Sequence, residues 1–161
     1  MAGADLLGDG NVKVTYCLTL SSTSNPLASE LNAGIDLQML LTKDGLGIEP
    51  EQAPVDNTAL GSRSETERGG TSKYAINLIY KRKKLVANDT AFTALVPKQD
   101  GFLAVRRDRD HEIPWTAGDP AEIYPIECGI RKRQPPVLNE PQRVAQQMFN
   151  HEDSDTEAVV A

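Results

Sequence analysis

The feature that most constrains the fold is a two-residue alternation of apolar and polar side chains along much of the 161-residue sequence. It is clearest in "VKVTYCLTL", residues 12–20, where apolar side chains at every second position alternate with Lys13, Thr15 and Thr19. Successive side chains of a β-strand point to opposite faces. The pattern therefore predicts a half-buried strand.

Similar patterns predict further strands at residues 34–45, 71–82, 121–133 and 142–149, with a short pairing segment at 158–161. Asp44-Gly45 is typical of a turn. "FLAVRR", residues 102–107, is apolar on both faces and predicts a central strand. Tyr124, Ile126, Cys128 and Ile130 are expected to share one face of their strand. Pro125 indicates that this strand lies at an edge or contains a bulge.

One helix is predicted after residue 87. Asn88 or Asp89 is expected to cap it, and Pro97 ends it. A single helical turn is predicted within residues 24–34. The helix and the strand after it are expected to form a packed scaffold, carried by Phe92, Leu95, Val96, Phe102 and Val105.

These elements predict a mainly β fold in one domain, residues 1–161. We expect a β-sandwich or rolled sheet of about six strands with one flanking α-helix.

Residues 49–72 do not fit a compact sheet, because Val55 and Leu60 are almost their only apolar side chains. A loop of this length without secondary structure is unusual, and it cannot bury enough surface to offset its ordering entropy. Two interpretations remain open. The segment is either a dispensable loop or an arm that orders against another copy or another protein.

No catalytic or cofactor-binding motif is recognisable. The sequence has no glycine-rich phosphate loop, and neither His111 nor His151 has zinc-ligand spacing. "DRDHE", residues 108–112, has enough carboxylates for a cation, but Arg106, Arg107 and Arg109 would compensate them. It is interpreted as a solvated hairpin tip. We expect no enzyme activity, no cofactor and no metal.

The cysteines and the N-terminus favour a reducing compartment. Cys17 and Cys128 lie in apolar runs and are expected to be buried and unpaired. Neither a signal peptide nor a membrane-spanning run is recognisable. The protein is therefore expected to be made in the cytoplasm and not to bind membranes.

Charge disfavours simple nucleic-acid binding, because 17 Lys and Arg against 23 Asp and Glu give a net charge of −6. The basic runs "KRKK" and "RKR", residues 81–84 and 131–133, lie at predicted strand ends. They are either solvated charge, a DNA or partner site, or contacts for acidic patches of a neighbouring copy. "HEDSDTE", residues 151–157, is interpreted as a solvated acidic linker.

Taken in order, five blocks make the chain resemble the tail tube proteins (major tail proteins) of long, flexible-tailed bacteriophages over residues 12–161. The blocks are "PLASELNAGIDLQMLLTKDGL", "KYAINLIYKRK", "ANDTAFTALVPKQDGFLAVRRD", "GDPAEIYPIECGIR" and "VAQQMFNHEDSDTEAVVA".

The resemblance implies a structural virion protein. Six copies would close a ring in which each contributes strands to an inner β-barrel, and rings would stack into a hollow tube that carries double-stranded DNA without binding it specifically. It implies as partners the tail tip or initiator, the tape measure protein and the terminator. The location would be the virion tail, and the host cytoplasm during assembly.

On this interpretation residues 49–72 are an inter-subunit arm and residues 150–161 a C-terminal segment. The expected inter-ring or inter-subunit contacts are charged residues of the arm and the basic runs: Glu49, Glu51, Asp56, Arg63, Glu65, Glu67, Arg68, Lys81, Arg82, Arg131 and Arg133.

Other functions remain open. A tail terminator or head–tail connector of the same fold would form a single ring. A monomeric binding module would use residues 108–115 or the basic runs, with Trp115 as a ligand contact rather than a partly buried hairpin anchor. An enzyme using Asp108 and Asp110 is the least favoured interpretation.

Overall fold

The computed structural model describes residues 3–161 and contains one antiparallel sheet of eight strands. The strands are β1 Lys13–Cys17, β2 Ile35–Asp36, β3 Leu41–Asp56, β4 Glu67–Lys81, β5 Asp100–Arg106, β6 Pro120–Arg133, β7 Arg143–Asn150 and β8 Asp155–Val159. The helices are α1 Ala28–Asn32 and α2 Thr90–Ala94, with a 3₁₀ turn at Val86–Asn88. The strand order is β2-β1-β5-β6-β7-β4-β3, and β8 pairs with β6.

The main core lies on one face of this sheet. Side chains from β1 and β5 on one side, and from β4 and β7 on the other, belong to a single buried cluster, so the sheet curls on itself. Ile76, Leu78 and Tyr80 of β4 are fully buried there, as the alternation predicted. Ala91 and Leu95 complete the cluster from α2 and the residue that follows it.

A second, smaller core covers the opposite face of β1, β5 and β6. Trp115, Leu31 from α1 and Val160 from the C-terminal segment pack there against Cys17 and its neighbours. Strand β1 is consequently buried on both faces, so the expectation of a half-buried strand is wrong. The predicted mainly β fold is confirmed.

The central position predicted for residues 102–107 is confirmed, because β5 pairs with β1 on one side and with β6 on the other. For residues 121–133, Pro125 predicted either an edge position or a bulge. The strand does not lie at an edge, because β6 pairs with β5 and also with β7 and β8. The bulge is confirmed by register shifts at residues 121–123 and 128–131. Proline has no backbone N–H to donate to a neighbouring strand. Pro125 is tolerated because it lies in the gap between Ile123, which pairs with β8, and Ile126, which pairs with β7.

A bulge in β6 overturns the expected burial of Ile130. Cys128 pairs with Met148 but Arg131 pairs with Gln146, so β6 carries one extra residue. After the bulge, Ile130 points away from the core and is 83% exposed.

The strand predicted at residues 34–45 is interrupted by a turn at residues 37–40, which separates the two-residue β2 from the start of β3. The amides of Leu40 and Leu41 both donate to the Leu37 carbonyl, at 2.9 Å. All three leucines enter the core at a helical spacing that the alternation concealed, while Met39 is exposed. The predicted Asp44-Gly45 turn is also wrong, because both residues lie within β3 at a register irregularity.

The predicted helix is present but shorter. Asp89 occupies the N-cap position of α2, yet its carboxylate accepts hydrogen bonds from Arg82 Nε and the Lys83 amide instead of capping the helix. Val96 lies beyond the helix and is exposed, so its place in the packed scaffold is wrong. Leu95 and Val105 are buried, and Phe92 and Phe102 are half-buried.

Candidate assembly surfaces

The polar segment at residues 49–72 is not an unstructured loop but most of a long hairpin. It lies largely on β3 and β4, and the strands leave only residues 57–66 as a connection. Pairing of β4 with β7 begins at Ala75, so residues 50–56 and 67–74 extend as a two-stranded arm. The sequence concealed this hairpin because neither face of it is apolar, so the alternation signal is missing.

Beyond Tyr74, which packs against Tyr124 at the base of the arm, polar contacts hold the shape of the arm. Lys73 and Glu51 form an exposed ion pair at 3.1 Å. The Thr58 amide donates to Asp56 Oδ1 at 2.8 Å, and the Thr66 amide donates to Thr58 Oγ1 at 2.9 Å. Hydrogen bonds from Thr58 hold the pKa of Asp56 below its ordinary value. A two-stranded hairpin without a core is marginal in water, so the arm is suited to contact with a partner.

The tip of the arm presents an apolar side chain to solvent. Leu60 is fully exposed and Val55 is half exposed. Every arm residue for which a contact was predicted is exposed: Glu49, Glu51, Asp56, Arg63, Glu65, Glu67 and Arg68.

The sheet has an open edge beside the arm. Strand β3 is 16 residues long and is paired on one side only, by β4. At the opposite edge of the sheet, β2 is only two residues long. An open edge of this length is a template for pairing with another strand.

One face of the sheet is bare over β4 and β7. The second core covers β1, β5 and β6 but does not extend this far. Asn77 and Gln147 are exposed on this bare face, together with Phe149. A sheet that is packed on one face and uncovered on the other has a core side and a contact side.

The two basic runs come together at one end of the sheet. Lys81 of β4 pairs with Arg143 of β7, and Arg133 of β6 pairs with Val144. We call residues 81–89 and 131–143 the basic end.

Beside the basic end, the ring of Phe92 lies between the guanidinium groups of two of its arginines. Arg82 is 3.6 Å and Arg131 3.9 Å from the ring centroid. Arg82 also pairs with Asp89 at 2.8 Å, and Arg131 donates to the carbonyls of Phe92 and Leu95. These two arginines anchor α2, whereas Lys83, Lys84, Lys132 and Arg133 are exposed.

The tip of the β5–β6 connection is solvated as predicted, with Asp108, Asp110 and Glu112 exposed, but the connection is anchored by buried groups on either side of the tip. Arg106 is fully buried and donates to Asp119 Oδ2 at 3.1 Å and to the carbonyls of Ile113 and Asp110, at 2.6 and 2.9 Å. Trp115 is buried, as a hairpin anchor would be, and its indole N–H donates to Thr15 Oγ1 at 3.0 Å. Sequence reasoning missed Asp119, which lies seven residues beyond the charged cluster at residues 108–112.

Burial alone would raise the pKa of Asp119, but hydrogen bonds from Arg109 and Thr116 outweigh it and hold the pKa below its ordinary value. The site is thus an ion-paired structural centre. Within residues 3–161, no group of three or more His, Cys, Asp or Glu side chains is arranged to hold a metal ion. No helix in that range is long and apolar enough to cross a membrane.

Comparison with known proteins agrees with a fold that presents an open edge, an arm and a bare face. The sequence matches the profile of the phage tail tube protein family over residues 1–161. The chain belongs to this family. The tail tube family is one of structural virion proteins, which places the protein in the phage tail and in assembly with other tail proteins.

The fold has a counterpart among solved structures. A chain in the cryo-EM structure of the anti-feeding prophage baseplate, 6-fold symmetrised, is similar with a TM-score of 0.56. The two share 7% sequence identity, and the match covers 96% of each chain. No curated protein sequence matches this tail tube protein.

Proposed function

We propose that six copies of this tail tube protein close into a ring, and that rings stack into the hollow tail tube of a long, flexible-tailed phage. The observation that carries the proposal is the uncovered half of the sheet, where the open edge of β3 borders the bare face of β4 and β7. If such sheets closed side by side into a barrel, the unpaired backbone N–H and C=O groups along the open edge of β3 would gain hydrogen-bond partners.

The bare face would then line the lumen. Its centre carries neutral polar groups such as Asn77 and Gln147. Six copies at −6 each give a ring charge of −36, which repels DNA phosphates and favours sliding over binding. DNA would pass through the tube without a specific contact.

The arm would reach the adjacent ring. Its two strands extend about 25 Å beyond the point where β4 begins to pair with β7, at roughly 3.4 Å per residue. The exposed Leu60 at the tip would be buried on contact. Assembly would take place in the host cytoplasm, started by the tail tip and ended by the terminator, around the tape measure protein.

Negative-stain electron microscopy of the concentrated protein tests the proposal. We expect hollow tubes from the wild type. Replacing residues 57–66 by Asn-Gly should leave rings that do not stack, because the tip is lost while the hairpin can still close. A ten-residue Gly/Ser segment in the same place is the length-matched control, and it should also fail to stack because Leu60 is absent.

Two outcomes would contradict the proposal. Particles that remain monomeric, even with a tail-tip initiator, would favour a binding module. Wild-type rings that never stack under any condition would favour a single-ring terminator or connector.

A further inference from the structure

Basic residues of this protein are concentrated at one end of the strands, and the rest of the chain is acidic. The basic end, residues 81–89 and 131–143, contains eight Lys and Arg but only Asp89 and Glu140 as acids, a net charge of +6. Since the whole chain carries −6, the remainder carries −12. A separation this large creates a field along the molecule.

Much of the basic charge is not neutralised within the chain. Among the described residues, Lys81, Lys83, Lys84, Lys132 and Arg133 make no ion pair. Asp89 is committed to Arg82, and Glu140 to Arg143 at 2.6 Å. An outside acidic group would therefore meet free ammonium and guanidinium groups here.

The opposite end of β7 carries the opposite charge. Strand β7 begins at Arg143 in the basic end, ends at Asn150, and leads into residues 151–157, which we call the acidic turn. This turn holds Glu152, Asp153, Asp155 and Glu157 with no Lys or Arg. Glu152 and Asp153 are exposed, and no lysine or arginine of residues 3–161 lies within ion-pair distance of either; His151 Nδ1 lies 3.9 Å from Glu152 Oε1. About 25 Å of strand separates the two ends.

Exposed apolar side chains at the basic end favour a protein partner over DNA. Leu85, Val86, Val137 and Leu138 are each more than half exposed. They lie on the β4–α2 and β6–β7 connections, which adjoin because the Arg82 amide donates to the Gln142 carbonyl at 2.8 Å. Charge mixed with apolar surface is typical of protein interfaces, whereas a phosphate backbone offers nothing to cover leucine and valine.

We propose that copies of this protein associate head to tail, the basic end of one copy receiving the acidic turn of the next. The two surfaces differ, so the contact is heterologous. Because they lie at opposite ends of β7, each contact adds a copy along the strand direction, as open-ended growth requires. This inference rests on the proposed tube and adds the polarity and the surfaces of its stacking contact. It also predicts that stacking weakens as salt rises.

Charge reversal at each end tests the pairing. Changing Lys83, Lys84, Lys132 and Arg133 to Glu takes the net charge of the basic end from +6 to −2. Changing Glu152, Asp153 and Glu157 to Lys takes that of the acidic turn from −4 to +2. All seven side chains are exposed, so the fold should persist, which circular dichroism checks. We expect each of these two charge-reversal variants to lose tubes and retain rings. Lys98→Glu, an exposed lysine outside both ends, is the control and should stack like the wild type.

The variant that combines all seven changes is decisive, because its ends carry −2 and +2 and are again complementary with the signs exchanged. We expect it to regain tubes. Tubes from either charge-reversal variant alone, or no recovery in the combined variant, would overturn the head-to-tail pairing while leaving the proposed tube intact.

Sedimentation of the two charge-reversal variants mixed at low salt gives an independent measurement. The mixture should form larger species than either variant alone, even if the wild type makes no tubes. A mixture that sediments like its components would overturn the pairing. Wild-type protein without rings or tubes would count against the proposed function instead.

Discussion

At the scale of single residues, the most consequential group is a buried charge. Arg106 has no exposed surface, and its guanidinium binds Asp119 and the backbone carbonyls of the β5–β6 connection. Isolated charge is costly in a protein interior, so each partner of this pair depends on the other. The pair fixes the connection that carries Trp115 into the second core.

We expect Asp119→Ala to lower the free energy of unfolding by about 3–5 kcal/mol, because Arg106 would be left buried without its anion. Urea denaturation measures this. Glu51→Ala, which breaks the exposed pair with Lys73, is the matched control and should cost less than about 1 kcal/mol. Equal effects of the two changes would contradict the structural role of Asp119.

The thiols should be inert in the folded protein. Burial raises the pKa of Cys17 to about 11, with the carboxylates of Glu30 and Asp36 adding to the effect, and burial also raises the pKa of Cys128. At pH 8 both groups are therefore protonated, and the reactive thiolate is scarce. We expect labelling by a thiol reagent only after unfolding. Rapid labelling of native protein would show that these sites open readily.

At the scale of elements, sequence reasoning succeeded where one face of a strand is apolar. Strands β4 and β7 follow the alternation because one face of each packs into the main core. It failed at the arm, where ladder hydrogen bonds pair the strands and neither face carries an apolar row that signals them. It also failed at residues 37–41, where three leucines needed for the core are placed by a turn.

The bulge in β6 is a further element that alternation cannot reveal. It depends on Gly129, since a Cβ there would lie 2.4 Å from the Gln147 carbonyl oxygen. We expect Gly129→Ala to cost about 1–3 kcal/mol of stability, measured by thermal unfolding. Gly47→Ala is the control, because its Cβ would lie 3.4 Å from the nearest atom, the Asn77 carbonyl oxygen. A neutral Gly129→Ala would mean that β6 can shift its register without cost.

At the scale of the whole molecule, the two cores share the strands between them. Strands β1, β5 and β6 contribute one face to each cluster, so neither can come apart without exposing the other. The family resemblance and the mainly β fold were predictable from the sequence. The sharing of strands was not, because it depends on which distant segments cover the second face.

This sharing predicts a single cooperative unfolding transition for the unassembled chain. Trp115, the only tryptophan, reports on the second core, while far-ultraviolet circular dichroism reports on the whole sheet. We expect the fluorescence and dichroism curves in urea to coincide. An earlier fluorescence transition would show that the second core melts separately.

The composition of the open edge has a consequence for the time before assembly. Strand β3 carries Pro50 and Pro54, which lack backbone N–H groups. Newly made chains accumulate in a crowded cell, where an uninterrupted edge would recruit any extended peptide and seed fibrils. Two prolines break the row of donors, so that only a neighbour offering a matching pattern gains from pairing. The two prolines therefore reduce nonspecific pairing of other strands with β3 in the time before assembly.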